Sequence, residues 1–273
     1  MSRSGTTLLR MMLDANSRLA IPPETNFHDA LNAFTHAGTA AATETIVSGE
    51  LWGDYKMPAD EFVRRVETRC PNGFGEVMRT FFEFYAELQG KPRWGNKTPY
   101  YAMRMALIEK LLPEARFVHV VRDGRDVALS TVPVWFGASD VAGVAHEWSD
   151  MLALAREQAK GLSFYIEIHY EDLVRDSAST LERVCEFLEL EWEPAMLDYH
   201  RRAAARLASE LGDVCELGRT VTRQERLQIH RLIGRPPQAD RAERWRQEMS
   251  PTDIRVFDEI AGDTLRAFGY STG

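Results

Sequence analysis

The sequence predicts an α/β domain built on a parallel sheet. Three observations carry that expectation. Two β-rich runs, 116–121 (RFVHVV) and 164–170 (FYIEIHY), stand well apart in the chain. Helical periodicity fills the stretches between and around them, and no Pro/Ser-rich linker divides the 273 residues. The elements follow in order. Leu8, Leu9, Met12 and Leu13 fall on one side of a helix over 6–15. Residues 18–21 read as a short strand closed by Pro22 and Pro23, which have no N–H to give a ladder. Residues 27–90 read as mostly helical, because FVRRVETRC and GEVMRTFFEFYAEL repeat apolar residues at three- and four-residue spacing. Residues 93–95 make a further short strand before a turn at Asn96, and an amphipathic helix over 101–112 stops at Pro113. RFVHVV is nearly continuous in apolar character, as in a strand buried on both faces. FYIEIHY alternates, which gives it one partly polar face. Helices are expected over 177–189, 195–210, 222–233 and 251–268, with GRPPQADRAER (234–244) as a long irregular loop. A single domain over 1–273 is expected.

Charge and composition narrow the function. Lys and Arg total 33 against 41 Asp and Glu, a net charge of −8. Such a chain lacks the cation surplus that nucleic-acid binding needs to displace counterions, yet a local basic pocket for a small anion is compatible with it. Cys70, Cys185 and Cys215 are too few and too scattered for a disulfide framework or a metal cluster, and read as inert thiols of a reducing compartment. No His/Asp/Glu grouping has metal-ligand spacing, so no metal is expected. No apolar run approaches the roughly 20 residues that span a bilayer. The opening MSRSGTTLLRMMLDAN is interrupted by Arg10 and Asp14 and does not read as a signal peptide, so the expectation is a cytoplasmic protein with no transmembrane segment.

In parallel α/β sheets, ligands sit outside the carboxyl ends of the strands. Pro22-Pro23-Glu24-Thr25, Asn96-Lys97-Thr98, Arg122-Asp123-Gly124-Arg125 and Tyr170-Glu171-Asp172 follow the four strands. That set suits an anionic ligand with a base nearby. The strongest local signal is Arg3-Ser4-Gly5-Thr6-Thr7, opening a helix. Consecutive backbone N–H groups, three hydroxyls, a glycine permitting close approach and a planar cation would bind phosphate or sulfate at the helix N-terminus. A simple N-cap by Ser4 or Thr6 is the alternative. The loop is not a Walker A sequence, since no Gly-Lys-Ser or Gly-Lys-Thr occurs. The second signal is RFVHVVRDGRDVALS (116–130), a strand running into Arg122, a turn and a helix carrying Ser130. Arg122 and Ser130 would grip a second phosphate. The alternative is an Arg122 paired with Asp126 and a solvated Ser130.

RSGTTLLRMMLDAN and VVRDGRDVALS together resemble the sulfotransferase family that uses 3′-phosphoadenosine 5′-phosphosulfate (PAPS). The likeness is greatest to the branch of tyrosylprotein and many bacterial sulfotransferases, in which the loop and helix are followed by a Glu-Thr pair, here Glu24-Thr25. The resemblance implies a P-loop-like central parallel sheet flanked by helices, with the mostly helical segment 27–90 inserted on the acceptor side. It implies that Arg3 neutralises the leaving phosphate, that Ser4, Gly5, Thr6 and Thr7 cradle the 5′-phosphosulfate, and that Arg122 and Ser130 hold the 3′-phosphate. It makes Glu24 the general base and Lys97, in NKTP, an aid to the acceptor or the sulfuryl group. Tyr170 in YEDLV and Arg244 in ERW would line the nucleotide. In the family an apolar strand leads into the first loop, whereas here the loop opens at Arg3, the third residue of the sequence.

The implied activity is sulfuryl transfer from PAPS to an acceptor hydroxyl by in-line displacement, leaving 3′-phosphoadenosine 5′-phosphate (PAP), with no metal. The acceptor stays open among small molecules, glycans, lipids and peptides, and homo-oligomerisation is open too. The alternatives are a P-loop-related kinase and a PAP-binding module with impaired catalysis. Other readings are structural. His119 is expected in the core, His28 and His36 at the surface or in packing, Phe81, Phe82, Phe84 and Tyr85 as core, Arg201, Arg202 and Arg206 as a solvated helix face, and Glu24 alternatively as a cap for the helix after Thr25.

Overall fold

A computed structural model describes residues 1–69, 72–216 and 218–273. They form an α/β chain with many helices and six short strands, dividing into two compact units. The first unit comprises 1–6, 99–191 and 237–273, and the second 7–98 and 192–236.

In the first unit, β3 (Phe117–Val121) and β4 (Tyr165–His169) pair in parallel, Phe117 opposite Tyr165 and Val121 opposite His169. The crossover runs through helices Gly124–Thr131 and Val141–Ala159. Asp123 caps the first, accepting the Arg125 N–H at 3.0 Å, and Asp140 caps the second, accepting the Gly143 N–H at 2.7 Å. The C-terminal helix Pro251–Ala267 packs on Val141–Ala159, and Val121, Val127, Trp148, Leu152, Trp245 and Phe257 fill the core between these elements. A Cβ on Gly124 would lie 2.6 Å from Trp148 Cδ2 and closer still to Phe257, so only glycine lets the turn after β3 sit against that core. His119 is buried as expected; its Nδ1 lies 2.7 Å from the Tyr165 hydroxyl, and burial pushes its pKa down to about 3.

Helix α1 (Thr6–Asp14) carries the chain into the second unit at Thr7 and leads to β1 (Leu19–Ala20), which pairs in parallel with β2 (Arg93–Trp94). The segment between them is helical as expected: His28–Val47, Trp52–Tyr55, Ala59–Arg69 and Phe74–Leu88. Phe81, Phe82, Phe84 and Tyr85 are buried core, with Phe27 edge-on to Phe81 at 5.0 Å. Helix His200–Glu210 and an antiparallel hairpin, β5 (Val214–Glu216) with β6 (Arg219–Val221), complete the unit; the hairpin was not read from the sequence.

The α/β class with parallel strands flanked by helices is as expected, the parallel pairing falling in two two-stranded ladders, β1–β2 and β3–β4, among the described residues. The β1–β2 ladder ends at once because Pro22 and Pro23 have no N–H to extend it. Two expectations are corrected. The helix expected over 101–112 is a 3₁₀ turn, Pro99–Met103, and a helix, Met105–Leu111, broken where Arg104 leaves helical dihedrals at φ −137°. Arg206 is not on a solvated face: it joins a buried ion network with Asp14, Arg10, Glu210 and Tyr85. Of the cysteines, Cys185 is buried, Cys215 is exposed and Cys70 lies outside the described residues. No helix among the described residues is long and apolar enough to cross a membrane.

Candidate active site

The first unit brings together Arg3, Gly5, Arg122 and Tyr170. Arg3 and Gly5 both adopt left-handed backbone conformations, at φ 64° and 92°, with buried Ser4 between them. This double turn sets the chain for α1, which starts at Thr6. A Cβ on Gly5 would lie 2.8 Å from Tyr170 Cε2 and closer still to Cδ2, so the loop backbone rests on the Tyr170 ring. The Arg122 guanidinium covers that ring, 4.3 Å from its centroid. Arg122 is buried, 5% exposed, and is held by two carbonyls: Nη1 donates to Arg3 O at 3.1 Å and Nη2 to Arg241 O at 2.8 Å. The two motifs, 119 positions apart, thus meet through a direct bond.

The end of β4 fixes this arrangement. Tyr170 opens the helix Tyr170–Arg175. The next residue, Glu171, is buried; it accepts the Asp123 N–H at 3.0 Å and the Tyr270 hydroxyl at 3.0 Å. Burial pushes the Glu171 carboxyl and the Tyr170 phenol above their ordinary pKa ranges. The sequence reading noticed Glu171 only as a residue after a strand; its role in joining the two strand ends needs the three-dimensional pairing.

Arg244 lies on the segment leading to helix Trp245–Glu248 and forms a forked pair with Glu248, Nε to Oε1 at 2.8 Å. That pairing raises the Arg244 pKa, while Asp126 and Tyr170 also act on its charge. Arg241, which the sequence reading passed over, is half-buried; burial and the nearby Arg244 and Arg122 charges lower its pKa. Arg122, Arg241 and Arg244 thus form a cluster of like charge. Ser130 sits in the last turn of its helix, where its hydroxyl donates to Asp126 O at 2.9 Å. Arg122 also lies 3.6 Å from Asp126 Oδ2, so the pairing given above as an alternative is present beside the contacts to the loop.

The second unit holds Thr7, Glu24 and Lys97. Parallel pairing of β1 with β2 puts their carboxyl ends side by side and delivers the two following segments together. Thr25 is clamped: its N–H donates to Thr98 Oγ1 at 3.0 Å, Thr98 Oγ1 donates back to Thr25 O at 3.0 Å, and Asn96 Nδ2 donates to Thr25 Oγ1 at 2.5 Å. Glu24 and Lys97, one residue before Thr25 and one after Asn96, form an ion pair through Oε1 and Nζ. Lys97 Nζ also lies 3.4 Å from Thr7 Oγ1. Glu24 is not a helix cap, because the next helix starts at His28 with Phe27 at its N-cap and no side-chain cap bond. Lys97 is not a surface lysine: its side chain is 13% exposed, against 49% for Glu24. Burial pushes the Lys97 pKa down, and Glu24 opposes that shift.

The first unit thus joins a glycine turn at a helix N-terminus to an arginine that leaves a parallel strand and bonds to the turn's backbone. The profile of the Sulfotransferase family matches residues 1–194, and the chain belongs to that family. It is similar to a putative protein-tyrosine sulfotransferase of Caenorhabditis briggsae, 27% identical over 209 residues, covering 74% of this chain and 68% of that protein. The Drosophila melanogaster protein-tyrosine sulfotransferase is 25% identical over 210 residues, covering 72% and 38%. The chain spans about half the length of other curated relatives it matches. In fold it resembles the sulfotransferase domain from the curacin biosynthetic pathway, with a TM-score of 0.61 at 18% identity, covering 100% of this chain and 96% of that one. The sulfotransferase domain of the Synechococcus PCC 7002 olefin synthase gives 0.58 at 19%, covering 99% and 92%.

Proposed function

We propose that the chain transfers a sulfuryl group from PAPS to an acceptor hydroxyl, as one catalytic domain with the helical segment 27–90 on the acceptor side. The observation that carries this reading is the Arg122 bond to Arg3 O above Tyr170, which unites the two anion-binding motifs. The residues fit the nucleotide: Arg3, Arg122 and Arg244 supply permanent cations, and Gly5 stands where any Cβ would strike Tyr170. Arg3, Ser4, Gly5, Thr6 and Thr7 would hold the 5′-phosphosulfate, Arg122 and Ser130 the 3′-phosphate, and Tyr170 and Arg244 the rest of the nucleotide. PAPS supplies the activated sulfuryl group.

Glu24 accepts the proton of the acceptor hydroxyl, its carboxylate oriented by the Lys97 ammonium and by the clamped Thr25 beside it. Lys97 reaches Thr7 in the first turn of α1, the residue that directly follows the Arg3–Thr6 loop. Arg3 and the α1 N-terminus stabilise negative charge on the departing phosphate oxygen. The protein-tyrosine relatives make a peptide hydroxyl one acceptor class to test, beside small phenols, sugars and lipids.

The test is transfer of labelled sulfate from PAPS to a panel of those hydroxyls, with Glu24→Ala alongside. Loss of a positioned base lowers the rate by about 10²–10⁴-fold. PAP binding should survive that change. Unchanged turnover would remove Glu24 from the mechanism. Absence of PAP binding by the wild-type chain would remove the nucleotide reading.

A further inference from the structure

Asp126 stands in the first turn of helix Gly124–Thr131 and is fully buried, with 0% exposure. Its Oδ1 accepts the Trp245 N–H at 2.9 Å. Its Oδ2 has no partner at hydrogen-bonding geometry and lies 3.6 Å from Arg122 Nη2, while the Glu243 backbone also acts on the carboxylate. A buried carboxylate with one oxygen unbonded is costly, and an apolar residue there would avoid the cost. What the carboxylate holds is the segment 241–245. Arg122 grips one end through Arg241 O at 2.8 Å, and Asp126 grips the other at Trp245. Between them Glu243 takes a left-handed conformation, φ 58°, and pairs with Arg175 at 3.1 Å. The Trp245 ring is buried beneath the Arg125 guanidinium, 3.5 Å away. Arg241 and Arg244 ride on this fastened segment.

We propose that Asp126 is a positioning residue: its carboxylate latches segment 241–245 to the turn that carries Arg122 and so assembles the cationic group for the nucleotide. The proposal rests on the nucleotide reading given above. Asp126 touches no substrate. It acts through the backbone of Trp245 and through the orientation of Arg122.

Charge and latching make opposite predictions, which gives the test its power. A role through charge alone means that removing a carboxylate beside Arg122 tightens anion binding. A latch means that removing the acceptor loosens segment 241–245 and weakens binding. Asp126→Asn loses the charge but keeps an oxygen for Trp245, whereas Asp126→Ala loses both. The full chain is digested briefly with trypsin, and cleavage after Arg241 and Arg244 is followed by mass spectrometry. Asp126→Ala should be cut at these bonds faster than wild type by about tenfold, the scale of one lost charge-assisted bond. Asp126→Asn should be cut at the wild-type rate. Calorimetry should show PAP bound about tenfold more weakly by Asp126→Ala, and at least as tightly by Asp126→Asn as by wild type. In turnover the alanine change should raise KM for the donor and leave kcat unchanged.

Equal cleavage of wild type and Asp126→Ala overturns the latch. Faster cleavage with unchanged PAP affinity overturns the positioning role. Failure of wild type to bind PAP sinks the nucleotide reading, while the protease result still judges the latch. If Asp126→Ala does not fold, amide exchange of Trp245 in the wild-type chain decides instead. Protection is required, and exchange at the rate of an exposed loop overturns the latch.

Discussion

Gly5 is the position where a single methyl group tests the phosphate loop most directly. Its φ of 92° is a conformation that L-residues rarely adopt. Alanine there costs about 1–2 kcal/mol in backbone strain. The added Cβ would also lie 2.8 Å from Tyr170 Cε2, and the ring cannot simply withdraw, because Arg122 covers it and the phenol is buried. Overpacking of this kind costs about 1–3 kcal/mol, so the two effects together give about 2–5 kcal/mol. The loop can relieve part of this by shifting off Tyr170, and the strain then appears as lost ligand affinity instead of lost stability. Urea unfolding and PAP calorimetry on Gly5→Ala therefore have to be read together. Their summed deficit should fall in that range. Adding Tyr170→Ala should make the double variant less unstable than the sum of the single changes, because the clash is shared between the two residues. If Gly5→Ala unfolds with the wild type and binds PAP equally well, the loop does not rest on Tyr170 as described.

Other expectations concern the charged groups. Arg122→Ala should weaken PAP binding by about 1.5–3 kcal/mol, the scale of a hydrogen bond to a charged group; equal calorimetric affinities would contradict its assignment. Lys97 has its pKa lowered from 10.5 by burial, so its ammonium is present below that lowered value and lost as pH rises through it. The transfer rate should therefore fall on the alkaline side earlier than for an ordinary lysine, and Lys97→Met should abolish that limb of the pH profile. Glu210 receives Arg10 Nη2 at 2.8 Å on both oxygens and Arg206 Nε at 2.8 Å, all within a buried network. Glu210→Ala leaves Arg10 without its anion and Arg206 with Asp14 alone, and should cost about 3–5 kcal/mol in urea unfolding. A loss below 1 kcal/mol would show the network to be solvated after all.

The parts legible in the sequence are those whose chemistry is local. RSGTT announces a helix N-terminus, RDGRD a capped turn after a strand, and NKT a segment after a second strand. Each stands where its own residues put it. Glu24 and Lys97 were each placed after a strand; their ion pair became visible only with the parallel pairing of β1 and β2, which brings the two carboxyl ends side by side. The parts that were not legible depend on partners far along the chain. Arg206 looked like a solvated residue because its own helix is rich in Arg, while its anions are Asp14 and Glu210 and the Arg10–Glu210 pair spans 200 positions. Arg241 carries no motif; its place is set by a carbonyl contact to Arg122. Asp126 was visible only as a potential partner of Arg122, since nothing in RDGRDV announces a bond to the backbone of Trp245.

The proposed catalytic groups share a property that separates this site from a merely charged surface. Each is already bonded within the protein. Arg122 spends two donors on carbonyls, Ser130 donates to Asp126 O, and Lys97 holds Glu24. A guanidinium has five N–H donors, so Arg122 keeps three beyond those two carbonyl bonds. The entropy of ordering these side chains is thereby lost on folding and not on binding, which is how preorganisation raises affinity and lowers a barrier. It also ties function to stability. Substitutions at Arg122 or Gly5 remove internal bonds or packing as well as ligand contacts, so a drop in activity alone cannot assign their roles. Glu24 is different: half its side chain is exposed, and it pairs with Lys97. Glu24→Gln removes the charge and keeps an oxygen to accept from Lys97, so the fold loses least there and a kinetic loss speaks most cleanly for chemistry.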